Sequence, residues 1–140
     1  MSFSCNDDMY VPDAAIKSTF KEMFPKAIFV EWEMEKGYIN AEFTHDGARK
    51  DAWFDTSGKW LMTETDIRSS KIPAAIKSTL STSEYTSWRI DDVDYLEFAS
   101  SKPVYVLDME KGENEADLYF AADGTLIEVK TDSDFKYHLP

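Results

Sequence analysis

Ala14-Ala15-Ile16-Lys17-Ser18-Thr19 decides how this chain is read, because the same six residues return at Ala74-Ala75-Ile76-Lys77-Ser78-Thr79, 60 positions on. Each copy follows a proline, Pro12 in the first and Pro73 in the second. A second echo trails the first. Trp53-Phe54-Asp55-Thr56-Ser57-Gly58 is matched by Tyr119-Phe120-Ala121-Ala122-Asp123-Gly124 at an offset of 66. Two echoes in the same order, with matching context, mark an internal repeat. Both halves then read as a helix followed by β-hairpins.

Outward from the first copy, Ile16, Phe20, Met23 and Phe24 form one apolar stripe at helical spacing. Pro12 suits the first turn, Asp13 the positive end of the dipole, and Pro25 ends the helix. From Ala27 the period becomes two. Ile28, Val30, Trp32 and Met34 alternate with Phe29, Glu31, Glu33 and Glu35, as in a half-buried strand. Lys36-Gly37 and Asp46-Gly47 are hairpin turns. Between and after them, Ile39, Ala41, Phe43, Ala52, Phe54 and Leu61 are expected to face the core. Tyr38, Asn40, Glu42, Asp51, Trp53, Trp60, Met62 and Glu64 are expected on the other side.

The second half repeats the pattern more weakly. Ile72, Ile76 and Leu80 form the helix stripe; Tyr105, Leu107, Met109, Leu118, Phe120, Ile127 and Val129 are expected inward. The strand at 90–99 changes phase, which points to a bulge. The predicted architecture is α+β: a tandem duplication of an α-β4 unit, with an antiparallel sheet of about eight strands, helices packed on one face and the other face open to water. Residues 1–10 read as a flexible tether, 11–132 as a single domain of two repeats (11–67 and 72–132), and 133–140 as a polar tail.

The net charge is −12, from 27 acidic and 15 basic residues. Such a field repels phosphate backbones and argues against a nucleic-acid partner. It suits a basic protein or peptide, or calcium, while the plain reading is solubility. No apolar run reaches the roughly 20 residues of a membrane helix. The single cysteine, Cys5, allows no internal disulfide. Standing ahead of the first periodic segment, it reads either as a lipid attachment site or as a free thiol on a tail.

The residues that carry a family resemblance run through nearly the whole chain. They are the Pro-led helix with Ala15-Ile16 and Phe20, the Phe24-Pro25 stop, Val30-Glu31-Trp32-Glu33, and Phe54-Asp55 with Gly58-Lys59-Trp60. In the second half they are Ile72-Pro73, Tyr105-Val106-Leu107, and Phe120 with Asp123-Gly124. Over about residues 11–132 this pattern resembles the PepSY-like proteins of Bacteroidetes, whose fold is similar to the β-lactamase-inhibitor protein. The resemblance implies tandem α-β4 repeats, export to the periplasm, often a lipid anchor, and no enzymatic activity. It also implies calcium-linked behaviour in some relatives and restraint of peptidases by PepSY modules elsewhere, neither tied to particular residues here.

Catalytic motifs are absent: no Gly-rich phosphate loop, CxxC pair, HExxH or GxSxG occurs. His45 and His138 read as solvated. Asp91, Asp92, Asp94 and Glu97 are an acidic group without the frame of an EF-hand, and a charged strand edge explains them better. No cofactor is expected, calcium excepted as an alternative. The candidate binding face is aromatic and acidic: Tyr38, Trp53, Trp60 and Tyr119, surrounded by Glu31, Glu33, Glu42, Asp51, Asp108 and Asp117. Large aromatics on a wet sheet face are hot-spot material, or else cross-strand braces. On this reading Phe54→Ala and Phe120→Ala empty the core, whereas Trp53→Ala and Tyr119→Ala spare the fold. The expected function is a non-enzymatic periplasmic binding or inhibitor-like module for a protein or peptide, the alternative a calcium-responsive structural protein. Membrane contact is expected only through a lipid on Cys5.

Overall fold

Asp13 starts the first helix. Its backbone is extended and its carboxylate accepts a hydrogen bond from the Ile16 N–H at 3.0 Å, satisfying a donor that the first turn leaves over. Pro12 therefore precedes the cap and is not part of the first turn. The helix, α1 (Ala14–Met23), ends at Phe24, whose N–H donates to the Phe20 carbonyl. The computed structural model describes residues 10–131. After α1 come β1 (Ile28–Glu35), β2 (Tyr38–His45), β3 (Ala48–Phe54) and β4 (Trp60–Asp66). A short 3-10 turn (Ser69–Lys71) leads to α2 (Ala74–Ser81), then β5 (Arg89–Phe98), β6 (Val104–Lys111), β7 (Asn114–Ala121) and β8 (Leu126–Lys130). The fold is α+β, with one eight-stranded sheet whose strands lie in chain order from β1 to β8. The chain divides into two compact units, Met1–Glu64 and Thr65–Pro140.

In the first unit, α1 presses Ile16 and Phe20 onto Ile39, Ala41, Phe43, Ala52 and Phe54, all buried. The Phe20 ring meets Phe43, Trp32 and Phe24 at centroid distances of 4.8, 5.2 and 5.4 Å, two of the three edge-on. The register fixes the faces. Ala41 pairs with Ala52 and Ile39 with Phe54, while Asn40 pairs with Trp53 and Glu42 with Asp51 on the opposite side. This is the alternation the sequence predicts for β2 and β3.

The second unit repeats the order of a helix and four strands. Ile72 and Ile76 pack with Val93, Leu107, Met109, Ala116, Leu118 and Phe120. α2 is capped less well than α1: Pro73 occupies the cap position and contributes no side-chain hydrogen bond. Instead the Thr79 hydroxyl donates to the Gly124 carbonyl at 2.7 Å, joining the helix to the turn before β8. The two recurring sequence stretches thus touch each other in this unit.

Besides a register shift at the start of β1, three irregularities depart from simple alternation. In β5 the register shifts between Ile90 and Asp92, which puts Val93 on the helix side while Asp94 and Leu96 pair with Val106 and Val104 on the other. In β8 it shifts after Leu126, so Leu126 packs on the helix cluster and Glu128 pairs with Tyr119. Ile127, expected inward, is exposed, and so is Val129. In β4, Trp60 packs on the α1 cluster. Glu64, four residues on, acts on Asp51 of the opposite face. Strict alternation would give Trp60 and Glu64 the same face, so a simple period of two does not hold across β4.

Candidate binding faces of the sheet

The centres of the faces turned away from the helices are not open. In the first unit Trp53 is only 8 % exposed and Asn40 only 4 %. β3 is flanked on both sides, so a large side chain on it is walled by its neighbours. This corrects the expectation that Trp53 is a free surface group. Met62, another residue of that reading, is fully buried. The Trp53 indole Nε1–H is itself buried and finds no acceptor.

Around Trp53 the face is acidic. Asn40 Nδ2 donates to Asp51 Oδ1 at 3.3 Å and to the Ala52 carbonyl at 3.4 Å. Burial pushes the Asp51 carboxyl up to about 6, helped by the negative charge of Glu64 and, less, of Glu42; the Asn40 hydrogen bond and the Arg49 charge oppose it. Arg49 Nη2 lies 3.6 Å from Glu42 Oε2. Tyr38 and Glu42 are half-buried, and Glu31 and Glu33 are exposed on β1. Trp60 is not part of this face. It packs under α1 and its Nε1–H donates to Thr63 Oγ1 at 2.8 Å.

In the second unit the equivalent position is Tyr119, only 7 % exposed. Its hydroxyl is buried without a partner. Burial raises the phenol above its ordinary range, and the carboxylates of Asp117, Glu128 and Asp94 add to the effect. The Lys130 ammonium lies 5.0 Å from the ring centroid, in cation–π contact. Asp117 is buried, and it pairs across the ladder with half-buried Asp108. Leu96 and Val106, which the sequence reading left off the face, are buried beside them. The bulge at Asp91 masked the phase of Leu96.

Carboxylates also gather in threes. Asp66, Asp92 and Asp94 bring ligand oxygens within 4.8 Å of one another, as do Asp91, Asp108 and Glu110. Asp66 could not be grouped with the others from sequence, because only the fold brings the end of β4 beside β5. His45, expected in solvent, is 15 % exposed and stacks edge-on against Phe24 at 5.4 Å. Cys5 and His138 lie outside the described residues. No helix among the described residues is long and apolar enough to cross a membrane.

The chain is similar over its full fold to solved structures. A BLIP-like protein from Bacteroides fragilis NCTC 9343 shares 34 % identity, with 96 % of this chain and 98 % of that one covered and a TM-score of 0.87. A DUF2874 family protein from Bacteroides ovatus ATCC 8483 shares 30 %, covering 89 % and 91 %, with a TM-score of 0.83. A structure described as "putative periplasmic proteins" from Bacteroides eggerthii DSM 20697 shares 22 %, covering 86 % and 89 %, with a TM-score of 0.80, a likeness of fold. No curated protein matches the chain. The family model described as "Putative beta-lactamase-inhibitor-like, PepSY-like" matches residues 36–128, and the chain belongs to that family.

Proposed function

We propose that this protein is a non-enzymatic, exported binding module of the inhibitor-like kind, recognising a protein or peptide segment through the sheet faces turned away from its helices. One observation carries the reading: Trp53 holds a buried indole N–H without an acceptor, beside the Asp51 carboxyl. A buried donor left unpaired is costly, and a partner whose binding shifts this face enough to bring an acceptor to it recovers that cost. The acidic surroundings favour a basic partner and disfavour nucleic acid. The test is capture from a periplasmic extract with wild type, Trp53→Phe and Asp51→Asn side by side. A partner retained by wild type and lost by both variants supports the face; a partner retained equally by all three removes it.

Export and a lipid on Cys5 belong to the same reading. They are supported by the family's membership and by the position of Cys5 ahead of the first helix. Mass spectrometry of the protein from its own host should find acyl chains on Cys5; an unmodified Cys5 ends the anchor.

A second reading, calcium-responsive structure, is favoured by the Asp66, Asp92 and Asp94 oxygens. Calcium bound only by the native state raises the unfolding temperature. Millimolar calcium should raise it in wild type and not in Asp92→Asn; no shift in either removes this reading.

A further inference from the structure

We propose that the outer edge of β1 is a strand-addition site for an extended segment in which basic side chains alternate with apolar ones. Among the described residues β1 is hydrogen-bonded to β2 alone, so every second residue of it turns its N–H and C=O away from the sheet. Such edges are commonly blunted by bulges. Here the irregularity is confined to the start: Phe29 has φ +56°, and the register shifts between Ile28 and Glu31. From Glu31 to Glu35 the ladder runs without interruption against Glu42 to Tyr38. A straight five-residue template is left.

The two sides of that template differ. Glu31, Glu33 and Glu35 all point away from α1 and all are exposed. Val30 and Trp32 lie on the α1 side. A groove of about 550 Å³ runs between β1 and the segment Tyr10–Pro12, with Lys17 at its wall and Glu31 and Glu33 at the strand edge also lining it. Large apolar side chains are also unusually exposed here. Of the six among the described residues, Val11, Ile28, Phe29 and Met34 belong to β1 or to this groove's lining. A ninth strand added at the usual spacing of about 4.8 Å would lay alternate side chains into the groove and the others over the glutamates.

Charge selects the occupant. A second copy pairing β1 with β1 would set glutamates against glutamates across the ladder, which is unfavourable. An acidic strand is repelled in the same way. A strand with lysine or arginine at alternate positions meets opposite charge at each glutamate and offers apolar groups to Val30 and Trp32. The glutamates of this edge border the Trp53 face through Asn40 and Glu42, but the inference stands on the unpaired strand edge and its groove and not on Trp53.

The probe is a capped octapeptide alternating lysine and valine, titrated into the 15N-labelled full chain. Amide-exchange protection should rise along β1, and Glu31→Lys with Glu33→Lys should weaken binding at least tenfold. Two further peptides carry N-methyl groups on the lysines only or on the valines only. One of the two should fail to bind, because one set of N–H groups must face β1. The proposal is overturned if no peptide binds, if a glutamate–valine peptide binds as well, or if both N-methylated peptides match the parent. It is equally overturned if protection of β1 rises with protein concentration in the absence of peptide, which would assign the edge to a second copy.

Discussion

A Cβ built on Gly124 would stand 2.6 Å from the carbonyl oxygen of Ala75, closer than such atoms approach. Gly124 also holds φ +95°, a conformation that side chains resist. Gly124→Ala therefore combines backbone strain with a rigid backbone clash and should cost about 3 kcal/mol. Gly58, its counterpart in the first unit, would place a Cβ 3.0 Å from Ile16 Cγ1, a side-chain atom and not backbone. Gly58→Ala should cost roughly half as much, nearer the penalty of positive φ alone. Urea denaturation of both variants checks the order.

The aromatic centre of the first unit should be its most sensitive packing site. Phe20 touches three other rings and is buried. Phe20→Ala should lower stability by about 3–5 kcal/mol, the usual result of emptying an aromatic site, and Phe54→Ala by a similar amount. Differential scanning calorimetry would read both.

Trp53 and Tyr119 separate packing from polarity. Trp53→Ala should cost about 3 kcal/mol, because the ring is buried and not on open surface. Tyr119→Phe removes a hydroxyl that has no partner. It should leave stability unchanged or raise it by up to about 1 kcal/mol, since no hydrogen bond is lost. A marked loss of stability in Tyr119→Phe would show that the hydroxyl is satisfied in solution.

Asp51 makes stability depend on pH. Its carboxyl is raised from 3.8 to about 6, so the folded chain holds this proton more tightly than the unfolded one. The contribution is fully present below the unfolded value and is lost as pH rises through about 6. Because the side chain is partly solvated, the loss between about pH 4 and about pH 7 should be near 1 kcal/mol. Asp51→Asn keeps an acceptor for Asn40 and cannot ionise. Relative to wild type it should therefore gain stability steadily across that interval, as urea midpoints at several pH values would show.

Which residues face the helices was largely legible in the sequence. Ile39, Ala41 and Phe43 alternate cleanly, and Phe54 and Trp53 fall on opposite sides as the period of two requires. Depth was not legible. Alternation assigns a side but says nothing of how many neighbours crowd that side, so Trp53 and Tyr119 read as exposed when both are buried. Trp60 and Ile127 were misplaced for another reason. In β8 one extra residue breaks the alternation at Ile127, and nothing in Trp60-Leu61-Met62 announces that the period of two fails in β4. The Asp66, Asp92 and Asp94 group is a tertiary juxtaposition across 28 positions of chain, beyond the reach of any local pattern.

The strand order has a consequence in time. Because the ladders join strands that follow one another in the chain, most of the sheet can form by closing short hairpins, each cheap in loop entropy. Folding should then be fast for a protein this rich in β-structure. The demanding step is a different one: laying each helix over its own last hairpin. In the second unit that closure brings Thr79 to Gly124, 45 residues away. If it forms after the barrier is crossed, substitutions at Gly124 will leave the folding rate alone and appear as faster unfolding.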